Sequence, residues 1–201
     1  MSDRAGPRRT ITAVDELTAY ATALGVSAAA GLNAWIPLLT IGLLSRFTGV
    51  IELTGDWDLL EQTWLLVVLA AIGVADFVGD KVPAVDHVLH AAGTVIAPIA
   101  GTVAALAATG GEASPVVVAV LAIFTAEFAH GTRAALRPVS TVGTAGAATP
   151  AVSAAEDTGS VALSVVALAA PVLAALAVLA AMVAAAFSGR ALWRRWSARR
   201  S

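Results

Sequence analysis

The sequence predicts an all-α, polytopic transmembrane helix bundle of five or six spans, with at least one broken or re-entrant helix. Three observations predict it. The 201 residues are 58% hydrophobic and only 13% charged, about half the charge of a soluble domain, which leaves too little polar surface to face water. The apolar residues gather into long stretches of the length that crosses a bilayer, about 20 residues, and the mean hydropathy is +0.83. Aromatic residues make up only 5% while Ala and Gly abound, and small residues let transmembrane helices approach closely.

The chain divides into a mobile polar N-terminal tail at 1–14, a transmembrane helical domain at 15–188 and a basic cytoplasmic C-terminal tail at 189–201. The segment Met1–Thr10 carries Arg4, Arg8 and Arg9. The apolar run after it is too long for a signal-peptide core and reads as a signal anchor, the first span. Asp15 and Glu16 suit the positive end of a helix dipole and start that helix. The stretch from Tyr20 to Phe47 exceeds one span, and Gly31, Asn33 and Pro37 at its middle predict a kink or break. Residues 49–62 form an acidic loop with Glu52, Asp56, Asp58 and Glu61.

Thr63–Val78 is the second span, and residues 79–86 form a turn around Pro83, which disfavours helix at the residue before it. His87–Ala108, with Pro98 inside, is the third span. Pro115 suits a first helical position and opens the fourth, which runs to about Leu136. Residues 137–157 are small, polar-tinged and interrupted by Pro138 and Pro150. They read as a loop, a re-entrant segment or a broken span, since irregular backbone at membrane depth must be buried in protein or line water. Val161–Phe187, with Pro171 inside, is the last span, followed by the Trp- and Arg-rich tail. Both Arg-rich tails belong on the cytoplasmic side, which demands an even number of crossings. A broken crossing at 139–157 is the favoured way to reach six.

Composition excludes several functions. With no Cys there is no disulfide, thiolate nucleophile or iron–sulfur site. A net charge of −2 gives no footprint for nucleic acid. Phosphate-binding loops, nucleophile elbows and His-Glu-x-x-His pairs are missing, so neither an enzyme nor a cofactor is expected. The expected partners are the lipid bilayer and, as a prior, further copies of the chain or other membrane subunits.

Ionisable residues cluster instead. Asp76 and Asp80 share a helix face, as do Asp86 and His90, with His87 one turn from His90. Glu127, His130, Arg133 and Arg137 form a second stripe. The plain reading is a structural polar network, carried by His87, His90, His130, Arg133 and Arg137. The sharper reading is a polar path. Its substrate- or ion-binding residues are Asn33, Asp76, Asp80, Lys81, Asp86, Glu156 and Asp157, with Asn33 beside a broken helix whose freed backbone faces the ligand. A small transporter or channel-like protein for an ion or small solute follows. A non-enzymatic scaffold or accessory subunit is the alternative. A membrane metalloprotein is the third reading, since Glu127 and His130 have the Glu-x-x-His spacing of di-metal bundles and Asp86 and His90 add ligands, although the twin motif is missing.

The segments Gly31-Leu-Asn-Ala-Trp-Ile-Pro37, Asp80-Lys-Val-Pro-Ala-Val-Asp-His87, His130 with Arg137-Pro138, and Pro150-Ala-Val-Ser-Ala-Ala-Glu-Asp157 resemble the bacterial membrane family known as domain of unknown function 4126. The resemblance covers roughly residues 18–185. It implies a multi-pass protein of the inner (plasma) membrane and no catalytic assignment. Glu127 and the basic C-terminal tail lie outside the pattern.

Overall fold

In the computed structural model the chain winds around its own first helix. Residues 12–79, 83–144 and 149–198 are described, without the side chains at 83–87, 90, 137–144, 192–193 and 195–196. α1 (Ala13–Leu32) starts at Thr12 with a capping box: the Thr12 side chain accepts the Asp15 backbone N–H, and the Asp15 carboxylate accepts the Thr12 N–H. It is followed by α2 (Trp35–Thr48), a 3-10 helix (Gly55–Glu61), α3 (Thr63–Gly79), α4 (Pro83–Thr109), α5 (Pro115–Thr144), α6 (Thr149–Ala169) and α7 (Pro171–Ala198).

α1 packs against α4, α5, α6 and α7, and its sequence explains how. Ala28 to Gly31 are all buried. A Cβ on Gly25 would come within 2.6 Å of the Ala167 Cβ on α6 and 3.0 Å of the Ala174 Cβ on α7. A Cβ on Gly31 would collide with the Ala126 carbonyl on α5. Small residues therefore set the interhelical distance, and dispersion contacts between close backbones hold it. α7 is the opposite case. Leu173, Leu176, Val183 and Phe187 are exposed on its outer side, as lipid-facing side chains are.

Among the described residues four helices are long and apolar enough to cross a membrane: Ala91–Thr109, Pro115–Leu136, Thr149–Ala169 and Pro171–Ala191. The 3-10 helix and α3 make a fifth if read as one span bent by 59°. α2, with 14 residues, is a shorter apolar helix. It is tied to the segment after it: Arg46 donates to the Glu61 carbonyl at 2.8 Å and Ser45 to the Ile51 carbonyl at 3.0 Å.

The expected interruption of the first stretch falls at Asn33 and Ala34. Pro37 lies in the first turn of α2, where its missing N–H has no intrahelical partner to lose. Two expected boundaries are corrected. Residues 137–144 continue α5 and residues 149–157 begin α6, whose stretch Thr149–Ala169 is itself long and apolar enough to cross. The span expected at 161–187 is two helices, because Pro171 opens α7 after a bend at Ala170. Proline fits a first helical position better than an interior one. The basic segment from residue 189 continues α7 as helix to Ala198.

Candidate functional site

The site grows from the break after α1. Asn33 has extended backbone, φ −149° and ψ 119°, and is 3% exposed. Its side chain engages both N–H donors and its oxygen. The Oδ1 atom accepts the Trp35 backbone N–H at 3.1 Å, an Asx-type turn that starts α2. That bond fixes the amide orientation and points Nδ2 away from α2. Nδ2 then donates to the Asp76 carboxylate at 3.0 Å and to the Asp157 carboxylate at 2.9 Å. One amide thus joins α1, α3 and α6, and brings together acids separated by 81 positions in the sequence. Two carboxylates held by one nitrogen repel each other unless a proton or cation shares their environment.

The carbonyls freed where α1 stops are also met. Ala29 O accepts the Asn33 N–H at 3.0 Å and the Ser160 hydroxyl at 2.9 Å. Leu32 O accepts Nη1 of Arg133 at 2.7 Å, and Nε of the same guanidinium bonds the Glu156 carboxylate at 2.7 Å. The Arg133 and Glu156 side chains are 11% and 13% exposed. At such burial a charge-assisted pair is far stronger than its surface equivalent, and removing one partner costs more than the pair contributes.

Beside Asn33 lies a cavity of about 60 Å³, walled by Asn33, Trp35, Asp76, Gly93, His130 and Arg133. A water needs about 10–15 Å³ on this measure, so the space suits a few waters or one compact polar group. His130 is 4% exposed. Its ring lies over Gly93 of α4, where an added Cβ would come within 2.5 Å of Cε1. Glycine at that position is what lets the imidazole reach the cavity wall.

Of the residues expected to bind an ion or substrate, Asn33, Asp76, Asp157 and Glu156 come together around the break. His130 and Arg133, expected in a structural network, stand at the same place: His130 lines the cavity, and Arg133 pairs with Glu156. Asp80 and Lys81 lie outside the described residues, as do the side chains of Asp86, His87, His90 and Arg137. Among the described residues no three His, Asp or Glu side chains group in a way that could hold a metal ion. Glu127 is not part of the cavity wall.

Two contributors were missed. Ser160 is fully buried and donates to the last turn of α1. Its signal was the run Ser153, Ser160, Ser164 on α6, all three buried on one side of the helix. Trp35, a residue type that usually anchors at the membrane interface, lines the cavity instead.

Residues 20–191 match the family described as Domain of unknown function (DUF4126). The chain belongs to this family. The match spans every residue that lines the cavity, so in this family member the break at Asn33 and the acids around it lie inside the shared domain. No curated protein and no solved structure matches the chain. The family and the apolar helices together make it an integral, multi-pass membrane protein.

Proposed function

We propose that the protein moves a small polar solute or ion across the plasma membrane, using the cavity at the α1–α2 break as its binding site. One observation carries the reading. A discontinuous helix places an Asn beside a polar cavity and clamps two carboxylates from distant helices on that side chain. Broken helices with coupling acids at the break are how many small transporters bind ions and solutes, and an ionisable group inside a membrane protein is costly enough to be a functional marker.

In this reading Asn33 and the backbone around it bind the solute, and Asp76 and Asp157 hold a coupling proton or cation. Asp80, Lys81 and Asp86 are assigned to the same path on their sequence positions alone. Both basic tails face the cytoplasm, following the positive-inside tendency.

The test is flux in proteoliposomes, with H⁺, Na⁺ and K⁺ measured separately under an imposed gradient. Asp76→Asn and Asp157→Asn preserve shape and remove one charge each. Each variant is expected to lower the flux at least about tenfold, which corresponds to one lost interaction of about 1.4 kcal/mol, with helical content and elution unchanged. If both variants fold and every flux equals that of the parent, the site has no part in transport.

A further inference from the structure

One acid at membrane depth has no counterpart in its own chain. Glu127 lies on α5 inside the 22-residue apolar stretch Pro115–Leu136. At 1.5 Å per residue it is about 18 Å from Pro115 and about 14 Å from Leu136, near the middle of a hydrocarbon layer of about 30 Å. Its side chain is half-buried, and among the described residues it forms no hydrogen bond and no ion pair. A carboxyl left bare at that depth is costly, and a second group that meets it removes the cost.

The surroundings of Glu127 on α5 show where such a group comes from. Ile123, Glu127, Gly131 and Ala135 follow at four-residue steps and make one ridge. Ile123, Gly131 and Ala135 are exposed, and a Cβ on Gly131 would meet nothing within 4 Å. The adjoining side of α5 is the packed one, where Ala126 and His130 press on Gly31 of α1 and on Gly101 and Gly93 of α4. α7 meets lipid with Leu173, Leu176, Val183 and Phe187, whereas this ridge of α5 presents Gly and Ala below an acid. Small residues add little against lipid chains, but they let a second helix come close.

We propose that this ridge docks a second copy of the chain, with two α5 helices crossing at Gly131 and the two Glu127 carboxyls hydrogen-bonded to each other. This goes beyond the transport reading and does not depend on it.

A twofold axis along the membrane normal brings identical residues together at the same depth, and the contact closes after two copies. A pair of carboxyls holding one or two protons is self-complementary, because a protonated carboxyl donates its O–H and every carboxyl oxygen accepts. The second copy therefore supplies the missing partner without any basic residue. The same axis seats Gly131 on Gly131, where no side chain stands between the two backbones.

The chain has no Cys, so an introduced thiol reports on its own position alone. Gly131→Cys, Ala135→Cys and, as a lipid-facing reference, Leu176→Cys on α7 are oxidised with copper phenanthroline in membranes before detergent is added. Gly131→Cys and Ala135→Cys are expected to give a disulfide-linked dimer, which requires Cα atoms within about 7 Å, and Leu176→Cys at least about tenfold less. In the Ala135→Cys chain, Glu127→Leu should lower the dimer yield about tenfold, as loss of a hydrogen bond between membrane helices does. Glu127→Gln, whose amide also donates and accepts, should keep most of it. The proposal is overturned by any of three results. One is no dimer at either ridge position, or as much at Leu176→Cys. Another is an equal loss in Glu127→Gln and Glu127→Leu, which marks a charged partner. The third is linkage of Ala135→Cys to a different protein only.

Discussion

α1 and α7 are both rich in alanine, yet they occupy opposite places. α7 has the most apolar window of the four long spans, with a mean hydropathy of 2.3, and only 17% of that window is buried. α1 is less apolar than the four long spans, but Ala28–Gly31 and Ser27 are buried and four helices surround it. In water the most apolar helix would sit at the centre. Here the order is reversed, because lipid takes the large apolar side chains and protein takes the small and hydroxylated ones. Between these two helices the small and hydroxylated residues mark burial and the large apolar ones exposure, whereas mean hydropathy alone does not rank the remaining spans: the window of 1.8 in α4 is 33% buried and that of 1.3 in α6 only 22%.

Four substitutions probe that contrast. The largest effect is expected from a bulky residue placed on each helix in turn. Gly31→Leu forces a side chain into the α5 backbone and should cost about 3 kcal/mol or more, enough to abolish recovery of folded protein. Ala180→Leu on the exposed side of α7 should leave the unfolding midpoint unchanged within about 0.5 kcal/mol. Equal effects at the two positions would erase the distinction between inner and outer helices.

Next comes Asn33→Leu, similar in size but unable to bond. It strands the Trp35 N–H and takes one donor from each of two carboxylates, so a loss of about 2–3 kcal/mol is expected in denaturant unfolding within detergent micelles. The smallest of the three expected losses is that of Ser160→Ala. It removes one donor to the Ala29 carbonyl, which keeps its bond to the Asn33 N–H, and a cost of about 0.6 kcal/mol matches typical hydroxyl bonds between membrane helices.

Much of this arrangement was legible in the sequence, for local reasons. Gly31, Asn33 and Pro37 announce a helix break because each disfavours uninterrupted helix by its own backbone chemistry. Asp76, Glu156 and Asp157 stood out because acids are rare in apolar stretches. What stayed hidden depends on neighbours. Pro171 looks the same in a sequence whether it kinks one helix or opens the next; in the structure it opens α7, with Ala167 before it and Ala174 after it both close to Gly25. The assignment of His130 and Arg133 to a structural network, apart from the binding residues, came from counting along α5. The close approach of Gly93 brings the imidazole to the cavity, and the Leu32 carbonyl and the Glu156 carboxylate hold the guanidinium at the end of α1.

The bonds at the end of α1 also tie the bundle together. Arg133 and Ser160 fasten its last turn to α5 and α6. Across the break, Arg46 and Ser45 fasten α2 to the segment leading into α3. The Asp76 bond to Asn33 joins the two sides, and Leu38 and Ile41 of α2 share one core with Val26 of α1 and Ala167 of α6. A change of charge at Asp76 is therefore felt on both sides of the helix break.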